Sequence, residues 1–214
     1  MNWKMAAGVL LAALAIAAPG AARPVIQVGG EMLMLDVDGK DGGLELFSTL
    51  HPRLALGLAA RTLDDDVRRD VWLGANLVLF KRNTRHSQAN LYALARVGPS
   101  FTLTATGRDV GLSGQIGVET DWETRRWFVG GGTALGVAPG GATDVGWKAR
   151  LGVAPYVTGS GALHTWLFVE GQQSAKPGAK AQVGPVVRLF KGALLVEAGV
   201  SHRGVASGTL WVYF

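Results

Sequence analysis

The chain contains no cysteine, which excludes a disulfide framework and any thiolate nucleophile or metal ligand. Charge is also scarce. Asp, Glu, Lys and Arg make up 17% of 214 residues, and the 21 basic side chains are mingled with 16 acidic ones. The formal charge of +5 raises the question of a polyanionic partner, but no basic stripe interleaved with aromatics occurs, so nucleic acid is not an expected partner. Beyond the first 22 residues, no apolar run is long enough to cross a bilayer as a helix, which takes ~20 residues. There is no internal repeat and no low-complexity tract.

The chain is rich in glycine. Its 31 glycines are about twice the usual share and lie within strand-like segments, where they permit bends and close backbone approach. The first 22 residues have one lysine (Lys4), an Ala- and Leu-rich stretch and a small-residue end at Pro19–Ala22. That is the anatomy of a cleaved secretory signal peptide, leaving 23–214 as a single domain.

That domain alternates. Val110, Leu112, Ile116, Val118 and Trp122 share one strand face, with Ser113, Gln115, Glu119 and Asp121 on the other. Asp144–Val157 repeats the pattern, with Val145, Trp147 and Leu151 opposite Lys148, Arg150 and Tyr156. Further strands are expected at Glu31–Asp38, Gly43–Thr49, Arg53–Thr62, Arg69–Phe80, Gln88–Val97, Arg125–Val137, Ala162–Gln172, Lys180–Phe190, Leu194–Ser201 and the closing segment. Period-two patterning of this kind marks half-buried strands. Twelve are predicted, with ten as the second choice, in an all-β antiparallel barrel whose apolar side faces lipid. A soluble lipocalin-like barrel or sandwich is the rival, since it alternates too.

The last segment weighs against the rival. Leu210, Val212 and Phe214 lie on one face, with Thr209, Trp211 and Tyr213 on the other. An apolar register ending in Phe resembles the signal for insertion of bacterial outer-membrane barrels. Size, leader, alternation and terminal Phe together resemble the small outer-membrane β-barrel proteins of Gram-negative bacteria. Within that class, Ser87–Tyr92, Gln115–Thr124 and Val196–Ser201 resemble a group of proteobacterial barrels without assigned function. The resemblance implies residence in the outer membrane, contact with its lipids and lipopolysaccharide, delivery by the barrel-insertion machinery and, most simply, a monomer. It transfers no functional residues.

With the N-terminus in the periplasm, long outer connections are expected at Leu63–Arg68, Gly98–Asp109, Ala138–Thr143 and Gln173–Ala179, with shorter ones at Gly39–Gly42 and Gly204–Ser207. Inner turns are expected at His51-Pro52, Lys81–Ser87, Trp122–Thr124 and Lys191-Gly192. Trp72, Phe80, Trp122, Trp127, Trp147, Phe190, Trp211 and Phe214 lie near strand ends, where an interfacial belt would put them. The inward faces project Arg53, Arg61, Arg96, Lys148, Arg150 and Arg188 against Glu119, Asp121, Glu170 and Glu197, together with Asp36, Asp38 and Glu45. These are the candidate pore-lining residues, either wetting a narrow lumen or pairing across it.

Catalysis and cofactors are not expected. His51 and His86 read as turn residues, His202 points away from Ser201, and His164 stands ~20 Å along its strand from Glu170. No nucleophile, base and orienting group come together as acyl transfer needs. Met32, Met34, Asp36 and Asp38 share a face, but mix soft and hard ligands along ~20 Å, so no metal is expected. Asp64–Asp66 reads as a solvated outer loop. Gly130–Gly132 has no following helix and is no phosphate loop. Three functions stay open: a narrow passive channel, a non-conducting envelope barrel and, less well supported, a lipid-modifying enzyme.

Overall fold

A computed structural model of the chain describes residues 27–63, 68–104, 107–141, 143–159, 161–174 and 178–214. The signal-peptide expectation and the Asp64–Asp66 loop fall outside these residues. Twelve antiparallel strands close into a barrel, each paired with its sequence neighbours and β1 paired with β12. They are β1 Glu31–Asp38, β2 Asp41–His51, β3 Leu54–Leu63, β4 Arg68–Asn83, β5 Ser87–Thr104 and β6 Gly107–Thr124. The others are β7 Trp127–Val137, β8 Thr143–Val153, β9 His164–Gln173, β10 Gln182–Lys191, β11 Leu194–Val200 and β12 Ala206–Tyr213. No helix among the described residues is long and apolar enough to cross a membrane, which says nothing of strands.

The alternation fixes two faces. Leu58, Leu73, Val97, Leu112, Ile116 and Val169 point outward and are exposed. Asp70, Asn76, Asn90, Arg96, Ser100, Ser113 and Glu170 point inward and are buried. At the β1–β12 seam, Met32 pairs with Tyr213 and Leu35 with Leu210. Phe214 exchanges both backbone hydrogen bonds with Glu31, at 2.7 and 3.0 Å. Val212 stands between Leu33 and Leu194, so it is largely covered on the outer face.

Several boundaries differ from expectation for identifiable reasons. Gly98–Asp109 is mostly strand: the β5–β6 ladder runs unbroken from Ser87↔Thr124 to Thr104↔Gly107. Gly98 sits there because a Cβ would strike the Val71 carbonyl of β4; the glycine marks close approach, not a turn. Lys81–Asn83 and Trp122–Thr124 are also strand. Their turns shrink because Thr84 Oγ1 accepts the His86 and Ser87 N–H groups, and Thr124 Oγ1 likewise accepts those of Arg126 and Trp127. Such hydroxyl-capped turns need few residues. β8 stops at Val153 because Pro155 offers no N–H to continue the ladder. Tyr156 is therefore not an inward strand residue; it lies in the connection 154–163, its hydroxyl 2.7 Å from Thr165 Oγ1.

The aromatic expectation divides. Phe80, Trp122, Trp127 and Phe214 are exposed on the outer wall at the end bearing the short turns. A register shift between Val78 and Phe80 leaves Leu79 as an extra residue, so Leu79 and Phe80 are both exposed. Trp72, Phe190 and Trp211 are not in the belt. Trp72 is buried in the lumen, its indole N–H donating to Ser113 Oγ at 2.8 Å. Trp211 packs on the cluster of Met32, Phe47, Val78, Tyr92 and Tyr213. Phe190 lies beside His164, ring centroids 6.1 Å apart.

Gly57 shows how tightly β2 and β3 approach. A Cβ there would strike the Leu46 carbonyl and lie 2.7 Å from Phe47 Cα, both backbone atoms. Gly57→Ala is expected to destabilise the barrel by ~1–3 kcal/mol through overpacking. Urea unfolding of the refolded protein in vesicles checks this.

Candidate functional site in the barrel lumen

Four groups of side chains fill or line the lumen. In the first, Arg96 of β5 reaches Glu45 of β2 (Nη2 to Oε2 3.2 Å) and Asn76 of β4 (Nη1 to Oδ1 3.0 Å). Its guanidinium lies 4.7 Å from the Phe47 ring centroid. Gly74 makes room, since a Cβ there would lie 2.6 Å from Phe47 Cζ and 2.9 Å from Arg96 Cδ. The pair spans three strand positions, so it is a chord across the interior rather than a contact along the wall.

The second group is the largest. Arg150 of β8 donates to Glu170 of β9 and also crosses to Glu197 of β11, Nη1 to Oε1 2.9 Å. Arg188 of β10 donates through Nε to the same Glu197 oxygen at 2.5 Å. Lys148 Nζ approaches Glu170 Oε1 at 3.6 Å. Phe128, Trp166, Phe168 and Val186 pack beside these charges. The guanidinium of Arg150 lies 5.1 Å from the Phe168 centroid, and that of Arg188 4.9 Å. Aromatic faces on one side and carboxylates on the other hold each guanidinium plane in place.

The third group is near the end away from the short turns. Arg68 pairs with buried Asp70 at 2.9 Å, and Asp70 accepts from Ser113 Oγ, which holds Trp72. A 3-10 turn, Pro139–Gly141, stands over the inner face there: a Cβ on Gly111 would lie 2.6 Å from Pro139 Cβ. Asp38 of β1 accepts from Gln172 Nε2 of β9 at 3.1 Å, a further chord.

The fourth group is the wall that these bridges leave bare. The inner face of β7 runs Gly130, Gly132, Ala134, Gly136, with almost no side chain. Glu119 and Asp121 flank it on β6, and Lys148 on β8. Glu119 is on the inward face yet solvent-exposed, and the Lys148 side chain is 51% exposed. Open space is therefore left beside charged groups midway along the lumen wall.

Of the residues projected inward from sequence, Arg61, Arg96, Glu119, Asp121, Lys148, Arg150, Glu170, Arg188 and Glu197 all stand on inward faces. Asp121 is bonded by Asn90 Nδ2 at 2.6 Å. Arg53 does not line the lumen: it occupies the exposed turn between β2 and β3, its N–H donating to His51 Nδ1. Pro52 ends the ladder there, so the strand begins one residue later than the alternation implied. His202 Nδ1 accepts the Val183 N–H at 3.1 Å. No group of three or more metal-type ligands occurs among the described residues. Asn76, Asn90, Ser113 and Trp72 are lumen residues that the charge pattern alone did not single out; their strand parity was the available signal.

No family model matches the chain, and no curated protein does. Among solved structures, CdiB from Acinetobacter baumannii is similar with a TM-score of 0.37 and 9% identity, over 88% of this chain and 61% of that one. The chain thus spans less than two thirds of that protein.

Proposed function

We propose that the protein is an integral outer-membrane β-barrel acting as a narrow passive channel for small solutes or ions. The membrane part of this reading is supported by the exposed apolar wall around an interior in which ion pairs stand beside aromatic and aliphatic clusters. Six of the twelve strands, β2, β3 and β7–β10, are ten or eleven residues long, which suits the ~9–11 residues that a bilayer crossing requires. The exposed aromatics at the short-turn end fit an interfacial belt. Leu210, Val212 and Phe214 are assigned to recognition by the insertion machinery, and lipopolysaccharide and outer-membrane lipids are the surroundings of a monomer.

The channel part rests on one observation: Glu119 and Lys148 keep accessible surface although they face inward at mid-height. Twelve strands lie between eight, whose interior side chains fill, and the sixteen or more of wide porins. A narrow path along the bare β7 wall is the natural consequence. The second reading, a non-conducting envelope barrel, draws on the ion-paired chords that cross the lumen.

Single-channel recording of the refolded protein in a planar bilayer tests the pair. Discrete small steps are expected. Ala134→Leu, which adds bulk on the bare wall, is expected to reduce the step size several-fold without loss of folded protein. Silent bilayers with insertion proven by protease protection would favour the envelope barrel.

A further inference from the structure

A cavity of about 450 Å3 opens at the short-turn end of the lumen, between the β6–β7 turn, the connection 154–163 and the β10–β11 end. Its lining includes Arg188, His164, Trp166, Phe190, Leu195 and Tyr156. The volume is in the range of small-molecule sites. We propose that this cavity binds small organic carboxylates with an aromatic or branched apolar body. The proposal names the solute class of the channel described above and, for transport, rests on that reading.

Arg188 carries the argument. Its Nε is committed to Glu197, and its guanidinium packs against the adjoining rings of Phe128 and Phe168, with centroids at 5.6 and 4.9 Å. Neither terminal nitrogen has a hydrogen-bond partner among the described residues, and the side chain is only 15% exposed. A guanidinium fixed on one edge and free on the other is preorganised to accept a carboxylate in forked geometry. Beside it, Trp166, Phe190 and Leu195 supply the apolar wall that an inorganic anion would not use. His164 adds no negative charge. The rim charges Glu123 and Arg125 oppose each other, and in the cluster to which Arg188 belongs three cations, Lys148, Arg150 and Arg188, face two acids, Glu170 and Glu197, so the local excess is positive. Its ligand is therefore a carboxylate with an apolar body, and a cation of the same shape is rejected.

The test uses the full refolded barrel in detergent, titrated calorimetrically with benzoate, benzylamine, benzyl alcohol and inorganic phosphate. Benzoate is expected to saturate, and the other three to bind at least about tenfold more weakly. Arg188→Gln should weaken benzoate about tenfold or more. Because Arg188 also compensates Glu197, Phe190→Ala is the second variant: it leaves every ion pair intact and should weaken benzoate several-fold. Benzylamine binding as well as benzoate, or benzoate affinity unchanged in both variants, overturns the proposal. Conductance separates it from the channel reading. Benzoate binding by a silent barrel upholds the site and removes the channel; a conducting barrel indifferent to benzoate does the reverse.

Discussion

Replacing Arg150 with Met is expected to cost the barrel about 3 kcal/mol, the low end of what breaking a buried ion pair costs. Arg150 stands between two carboxylates, Glu170 and Glu197, and is only 11% exposed. Without it, both acids remain in a crowded interior with one compensating charge fewer. The loss stays at the low end because Glu170 retains Lys148 and Glu197 retains Arg188. Urea unfolding in vesicles should show a lower midpoint with an unchanged slope. Adding Glu170→Gln to Arg150→Met should recover much of the loss, since Glu197 and Arg188 then remain as a balanced pair and the Lys148 left over is half exposed. A double variant as weak as the single one would show that packing on Phe168, and not charge, dominates.

The second large effect concerns the outer wall. Val187 lies mid-strand on β10, between Leu167 and Ala198 in the ladder, and is exposed. If that face meets lipid, Val187→Arg costs ~2–4 kcal/mol, whereas a charge near a strand end costs ~0–1. Thr62, exposed at the end of β3 and paired with Gly42 and Arg69, is the matched control. Unfolding of both variants in vesicles reads the difference directly. Equal, negligible losses for Val187→Arg and Thr62→Arg would remove the lipid-facing assignment, because water would solvate an arginine equally at either height.

Much of this architecture was legible in the chain because strand parity is a strict constraint. Once Leu112, Ile116 and Val118 face outward, Ser113, Glu119 and Asp121 must face the lumen. The twelve strands and their order follow from counting such segments. Parity also carried information that the aromatic pattern obscured: Trp72 shares its face with Asn76, and Trp211 with Thr209 and Tyr213. Nearness to a strand end was the weaker guide, because both ends of a barrel have an inside. Glycine was read too simply at Gly98, where it serves close approach within a ladder. What no local pattern supplies is the partner of each charge. Arg96 finds Glu45 and Arg150 finds Glu197 across strands that are not neighbours, through the offset that strand tilt introduces. The free edge of Arg188 follows from that same geometry. Nothing within a few residues of it forecasts a cavity.

The seam has a consequence for assembly. β5 and β6 pair along their whole 18-residue lengths, from Ser87↔Thr124 to Thr104↔Gly107, a local ladder between sequence neighbours whose closure involves little loop entropy. β1 and β12 meet only after the whole chain between them is ordered. Until then the sheet has two unsatisfied edges, Leu33–Val37 on one side and Leu210–Val212 on the other, each a template for pairing with another molecule. The interval before those edges find each other is the period in which the chain is vulnerable to self-association. Productive folding is thus governed by one ring-closing event rather than by the addition of individual strands.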